Sequence, residues 1–439
     1  MSFGKKLTVA FLITFLLSLP AFAGTDPAPG QQLKTVWMSD AERVRLDNLR
    51  AEGLKAMYNL DYETARRRFK EMTQAFPNHP AGPQHLAASI WLQTLHESRR
   101  LQGSLYTIDV LKTKGEGQAD PRIVEQFRAW TKQAKQLSEA RLKTSPRDAE
   151  ALYFLGATEA LKAGFTAAVE RRYISALRDG SRSIDLHRDT LKVDPNFHDA
   201  EISIGLYDYV LGGLPLPIKV LASLTGMRGS KRRGIETLKR VAAEGKWARD
   251  DAKVLLIGIF KIEERYMDAL ALSRELASKY PRNYLFYLES ADALIWQAAR
   301  AAAAGGQTTV PAATTTGPAN APDAEREALQ IFEGMLRDPL IKDEARLLDL
   351  VHFRYGEALL TLGQPERAAK EFLAAAAAPG AEPNLATLSR LHAARGLDLA
   401  GRRREALAQY QAVLSRPDTY DAHQEARRGL REPYQTKNR

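Results

Sequence analysis

The sequence predicts an all-α fold, a superhelix (α-solenoid) of stacked helix-turn-helix units, on three observations. Apolar residues recur at three- and four-residue intervals along nearly the whole chain and almost nowhere alternate with period two. One pattern of small, aromatic and proline positions returns four times at nearly fixed offsets. A chain of 439 residues also exceeds the usual size of a single core, so it divides into several domains or a repeat array.

The N-terminus reads MSFGKKLTVAFLITFLLSLPAFAG: two cations, Lys5 and Lys6, then an apolar run from Leu7 to Leu19, Pro20, and the small-x-small triplet Ala21, Phe22, Ala23. This predicts a signal peptide over 1–23, cut before Gly24, and hence a periplasmic or secreted protein. The other reading is retention as an anchor, for which the run is short against the ~20 residues of a membrane span. No cysteine follows, so lipoprotein attachment is excluded. Residues 24–45 read as a linker and the entry to the first helix.

The formal charge of +10 falls by two on cleavage, leaving a moderately basic chain whose cations are scattered among acids along most helices. Neither that distribution nor an exported address suits nucleic acid. The absence of cysteine excludes disulfides, thiolate zinc sites and cysteine nucleophiles, so stability must come from packing.

The repeat is clearest in GLKAMYNLDYETARRRFKEMTQAFP, where Gly53 is followed by Ala65, Phe69, Met72 and Pro77. The same order recurs as Gly356, Ala368, Phe372, Ala375 and Pro379, as Ala394, Ala406, Tyr410, Val413 and Pro417, and more weakly as Ile257, Ala269, Ser273, Leu276 and Pro281. Two antiparallel helices cross closely only where the contact points carry little side chain. A ring then fills the gap one turn later, and proline ends the second helix. This resembles the tetratricopeptide repeat, a helix-turn-helix unit of about 34 residues. The resemblance implies units that are stable only in the stack, and a concave groove that binds partners without catalysis.

Stretched copies complete the array, roughly six to eight hairpins in all. Residues 46–146 hold N-terminal hairpins, and 147–250 central hairpins with an insertion at 212–229. Residues 251–339 hold hairpins interrupted by the threonine-rich loop 301–322, whose small residues and prolines cannot build a core. Residues 340–439 hold the C-terminal repeats and a terminal helix.

The insertion, within LYDYVLGGLPLPIKVLASLTGMRGSKRRG, separates a first helix over 200–211 from a partner over 230–243. Tyr207, Gly212, Leu214, Pro215, Pro217, Leu221, Leu224, Gly226, Gly229, Arg233, Gly234 and Leu238 resemble the eukaryotic tetratricopeptide family of the inclusion-body-clearance type. That resemblance implies an adaptor. The apolar stripe of the insertion either packs on the repeat core or meets a membrane, and Arg228, Lys231, Arg232 and Arg233 mark it for anion or head-group contact. A plain helix-starting turn is the simpler account of these cations, since the G-K-[ST] ending of a nucleotide loop is missing.

Catalytic patterns are absent: there is no HExxH, G-x-S-x-G elbow, Walker loop or dinucleotide fingerprint. The densest His and carboxylate stretch, with His187, Asp189, Asp194, His198, Asp199 and Glu201, straddles a helix end at Pro195, so no metal or other cofactor is expected.

The tetratricopeptide resemblance places partner contacts on first helices. The matching positions are Arg50, Leu54, Met57 and Tyr58, then Glu150, Tyr153 and Leu161, then Leu350, Phe353, Glu357 and Leu360, and finally Leu388, Leu391, Arg395 and Asp398. This lining, apolar with isolated charges, suits an apolar or amphipathic peptide. The expected function is therefore an exported, non-enzymatic scaffold for another cell-envelope protein. A glycan-binding component or enzyme of wall or exopolysaccharide metabolism, using aromatics such as Trp91, Tyr106, Trp130, Tyr153, Tyr173, Tyr207 and Tyr209, is one alternative. A peripheral membrane adaptor is another.

Overall fold

The computed structural model describes residues 38–99, 101, 120–170, 172–216, 219–220, 228–303, 320–339, 341 and 347–435. The signal segment 1–23, most of the 301–322 loop, and residues 217–218 and 221–227 of the insertion lie outside the described residues. Seventeen α-helices and no strand occur among those described. They fall into two compact units, 38–94 with 120–252 and 95–101 with 253–435.

The first unit contains α1 (Asp40–Tyr58), α2 (Tyr62–Ala75), most of α3 (Ala81–Glu97), α4 (Pro121–Thr144), α5 (Ala149–Ala168), α6 (Tyr173–Val193), α7 (Glu201–Gly212) and α8 (Lys231–Glu244). The second contains most of α9 (Arg249–Ile262), then α10 (Tyr266–Lys279), α11 (Tyr284–Ala303), α12 (Ala321–Arg337), α13 (Leu348–Thr361), α14 (Pro365–Ala377), α15 (Pro383–Leu399), α16 (Arg403–Leu414) and α17 (Ala422–Arg431). Within each unit successive helices pack on one another: α1 on α2, α4 on α5, α5 on α6 and α7 on α8 in the first, and α13 through α17 in series in the second. In the second unit α11, α13, α15 and α17 also touch in turn, which is the stacking that makes a solenoid of hairpins.

Local chemistry sets the helix starts. Ser39 opens α1 with a reciprocal capping box, its Oγ accepting from the Glu42 amide while Glu42 accepts from the Ser39 amide. Asp61, Asp148, Ser230 and Asn320 cap α2, α5, α8 and α12 in the same sense.

The four repeat copies share a turn as well as a pattern. Seven residues after Gly53, Ile257, Gly356 and Ala394 stand Leu60, Glu264, Gly363 and Gly401, with φ of 63°, 57°, 72° and 75°. A left-handed residue thus closes the hairpin at the same register each time, as glycine in two copies and as an ordinary L-residue in two. The crossings are equally regular. A Cβ built on Gly53 would lie 2.3 Å from the Phe69 ring, and one on Gly356 would lie 2.8 Å from Phe372. Ala65, Ala269, Ala368 and Ala406 are wholly buried. A Cβ on Gly429 of α17 would lie 2.3 Å from the Tyr410 ring, so the terminal helix supplies the small contact there. In the weakest copy Ser273 replaces the ring and hydrogen-bonds Ser290 at 2.8 Å.

Candidate functional site

In the first unit, α1 and α5 bring Arg50, Leu54, Met57, Glu150 and Tyr153 to one face, and that face is covered. Arg50 is 1% exposed, its guanidinium 3.8 Å above the Trp247 ring and 5.2 Å from that of Phe154. Its three nitrogens have no hydrogen-bond partner among the described residues. The nearest counter-charge is Asp47, 3.8 Å away. Face-on stacking and nearby carboxylates therefore stabilise the cation in place of direct hydrogen bonds.

Of the nearby acids Glu150 acts most strongly on Arg50. It accepts a fork from Arg43 at 2.6 and 3.2 Å, lies 3.2 Å from Arg141 and is 3.4 Å from His79. Burial works to raise its carboxyl, but His79, Arg43 and Arg141 together hold it well below the ordinary carboxylate range.

Trp247 is placed by Asp199, whose carboxylate accepts the backbone N–H groups of Lys246, Trp247 and Ala248 at 3.2, 2.8 and 2.7 Å. The indole meets Tyr153, Phe154 and Phe197 at ring separations of 5.6 Å each. Met57 and Tyr153 are buried, Leu54 packs against the same core, and Tyr58 donates its hydroxyl to Asp251. The predicted lining is thus gathered but filled by an indole from the loop before α9. Nothing in the repeat pattern marks Trp247 or the amide-gathering role of Asp199.

In the second unit the predicted residues separate. Phe353 and Leu391 are core residues, 2% and 3% exposed, with Phe353 edge-on to Phe372. Glu357 pairs with Arg354 at 2.7 Å. Arg354 in turn bonds Asp292 at 2.9 Å, and Asp292 also pairs with Lys261. Arg395 pairs with Glu425 at 2.8 Å and lies 5.1 Å over the Tyr434 ring. Beside it Asp398 accepts from Arg403, from the Tyr410 hydroxyl at 2.9 Å and from the Tyr434 amide at 2.8 Å. The segment after α17 therefore lies across α15, held by one ring contact and one backbone hydrogen bond.

Around the insertion, Ser230 caps α8 and Arg233 is forked onto Asp208, with Nη2 to Oδ1 at 2.6 Å. Lys231 stands 5.6 Å over the Tyr209 ring, while Arg228 and Arg232 are exposed. Gly212, Gly229 and Gly234 of the second resemblance lie where α7 and α8 touch: a Cβ on Gly234 would sit 2.5 Å from the Tyr209 amide nitrogen, and one on Gly212 2.2 Å from that of Lys231, while Gly226 lies outside the described residues.

Of the aromatics, Tyr153 and Tyr209 are buried, Trp91 packs against Gly164 and Tyr207 lies 5.6 Å under Arg188. Tyr106 and the Tyr173 side chain lie outside the described residues. The histidines of the carboxylate-rich stretch part company. His187, 1% exposed, bonds Ser203 and the Tyr153 carbonyl, whereas His198 faces Glu201 and Glu244. Among the described residues no group of three or more His, Asp or Glu side chains is placed to hold a metal ion.

A cavity of about 300 Å³ opens between α4, α5 and α6. Its lining includes Arg128, Lys162, Arg172 and Arg178 against two carboxylates, Glu170 and Asp179, with the hydroxyls of Thr166 and Ser175. Sequence reasoning did not find it, because its cations belong to three helices and a loop.

No protein-family model matches the sequence, and a search of curated proteins finds no match. Solved structures similar to the chain include human IFIT1 as a dimer with m7Gppp-AAAA, at 12% identity over 90% of this chain and 86% of that one, with a TM-score of 0.43. A tetratricopeptide repeat protein from Parabacteroides merdae matches at 13% over 79% and 99%, with a TM-score of 0.30. Yeast Tom70 matches at 10% over 89% and 88%, with a TM-score of 0.35. By its own hairpins, shared turns and stacked first helices, the chain is an all-α helical-repeat protein, a solenoid of helix-turn-helix units.

Proposed function

We propose that this protein is an exported scaffold that binds an extended peptide segment of another cell-envelope protein on its first helices, with no bond-making step. The observation that carries the reading is the seat of Tyr434: Arg395 and Asp398, two first-helix positions expected to meet a partner, hold an extended stretch of polypeptide by a ring and an amide. Export rests on the N-terminal pattern of cations, apolar run and small-residue cleavage motif.

The test removes residues 432–439 and titrates the truncated chain with a synthetic peptide of residues 430–439. Binding to the truncated chain, weak binding to the full chain, and loss in Asp398→Asn support the seat. No binding to the truncated chain, or a chain that keeps residues 1–23 in the cytoplasm when expressed, overturns the reading.

A second reading, contact with a membrane surface, is favoured by Leu216 and Val220, 78% and 57% exposed, in the same segment of chain as the exposed Arg228 and Arg232. No helix among the described residues is long and apolar enough to cross a membrane. Sedimentation with anionic vesicles that is unchanged in Leu216→Ser would remove this reading.

A further inference from the structure

We infer that the cavity between α4, α5 and α6 receives the carboxylates of an acidic segment of a protein partner; this deepens the scaffold reading and rests on it. The charges are layered. Glu170 and Asp179 sit low, their side chains 11% and 15% exposed, while Arg128, Arg172 and Arg178 stand at the rim at 60%, 63% and 78%. The acids hold the cations from beneath. Arg128 gives Nη2 to Glu170 at 2.8 Å, Arg172 approaches the same carboxylate at 3.7 Å, and Arg178 is 4.0 Å from Asp179. Lys162 is drawn to Glu159 at 2.6 Å and to Asp179 at 3.7 Å.

A guanidinium carries five N–H donors in a fixed fork, and one carboxylate engages at most a pair of them. Glu170 is shared by two arginines and Asp179 by an arginine and a lysine, so most donors of the rim are left for solvent or an incoming oxyanion. Even with Glu159 counted against Lys162, four lining cations face three acids, and the excess positive charge sits on the rim arginines, where it steers and holds anions. Thr166 and Ser175 add hydroxyls that can donate to the same oxygens.

The rim favours a protein segment over an engulfed small molecule. Small ligands are usually enclosed by a largely apolar wall. Among the described residues Phe127 is the one apolar lining residue, and the arginines are long, exposed arms. Such arms suit side chains that reach in from a larger partner, at the steered rates and salt sensitivity typical of charged interfaces.

The test titrates the full chain with fluorescein-labelled hexaglutamate, followed by anisotropy, with hexaglutamine as the neutral probe. The triple variant Arg128→Gln, Arg172→Gln, Arg178→Gln should bind about ten-fold more weakly or worse, since a single charge-assisted hydrogen bond is worth about that factor. The triple variant Arg45→Gln, Arg67→Gln, Lys70→Gln, on exposed cations of α1 and α2, should bind as the parent does. Glu170→Gln should tighten binding, because it removes the internal competitor for Arg128 and Arg172. A parent chain that shows no saturable binding overturns the inference. So does an equal loss in both triple variants, which would mean diffuse attraction, and so does weaker binding in Glu170→Gln. The seat of Tyr434 is probed in the other unit with a different peptide, so failure of the one test is told apart from failure of the other.

Discussion

Glycines that look alike in the sequence do different physical work. A methyl on Gly356 would enter the Phe372 ring, whereas one on Gly258 or Gly334, both within helices, meets nothing within 4 Å. Gly356→Ala should therefore cost about 1–3 kcal/mol by overpacking. Gly258→Ala should be neutral or stabilise by up to about 1 kcal/mol through helix propensity. Urea denaturation of the two variants side by side checks both signs. The shared left-handed turn supports a second prediction at this scale. Glu264 adopts φ 57° where two other copies use glycine, so Glu264→Gly should stabilise by roughly 1 kcal/mol, while Gly363→Ala should destabilise by a similar amount. Opposite shifts of the urea midpoint are expected, and shifts of the same sign would contradict the assignment.

Among the elements, the loop from α8 to α9 matters out of proportion to its length, because it carries Trp247 onto Arg50. Its conformation depends on one carboxylate gathering three amides. Asp199→Asn keeps the shape but turns an acceptor into a donor facing those N–H groups. The loss should be about 2–3 kcal/mol, typical for a hydrogen-bonded buried charge. Trp247→Ala should cost about 3–5 kcal/mol, by cavity formation and by leaving the Arg50 cation uncovered. Equilibrium unfolding measures both, and a near-neutral Trp247→Ala would show that the indole is not what fills this face.

For the whole molecule, the repeats spread stability over many interfaces, but the titration of a few buried groups makes it depend on pH. Burial pushes His187 down to about 4, against 6.5 for a free imidazole, while its two nitrogens are satisfied in the neutral form. Between those values the unfolded chain takes up a proton that the folded chain refuses, so stability falls as pH drops from 6.5 towards 4. One such group is worth about 2 kcal/mol between pH 7 and pH 5. Glu150 acts in the same direction at lower pH. Its carboxyl is held down in the folded state, so the stability it adds above the ordinary carboxylate range is lost as acid protonates it. Urea midpoints at pH 7 and pH 5 should differ in that direction; because burial also pushes His392 down to about 3 and depresses His79 and His85, His187→Gln, though less stable, should shrink the difference by about its own 2 kcal/mol share and leave the rest. A variant with an undiminished pH dependence would assign the effect elsewhere.

The array was legible in the sequence because its determinants are local and periodic. Gly53 with Phe69, Gly356 with Phe372 and the buried alanines between them are read at fixed spacing, since a close helix crossing allows only small residues at its contact points. The face of the first unit was legible only in part. Arg50, Met57 and Tyr153 come together as their register implies, yet what covers them is a tryptophan nearly 200 residues from Arg50, held by Asp199. The rim arginines of the cavity and the Tyr434 seat likewise join residues from separate helices and loops. Sequence by itself determined the fold, the hairpins and their turns, because each depends on residues within one repeat. Tertiary structure alone decided which of those faces is filled and which is charged and open, because burial and pairing depend on residues that only folding brings together.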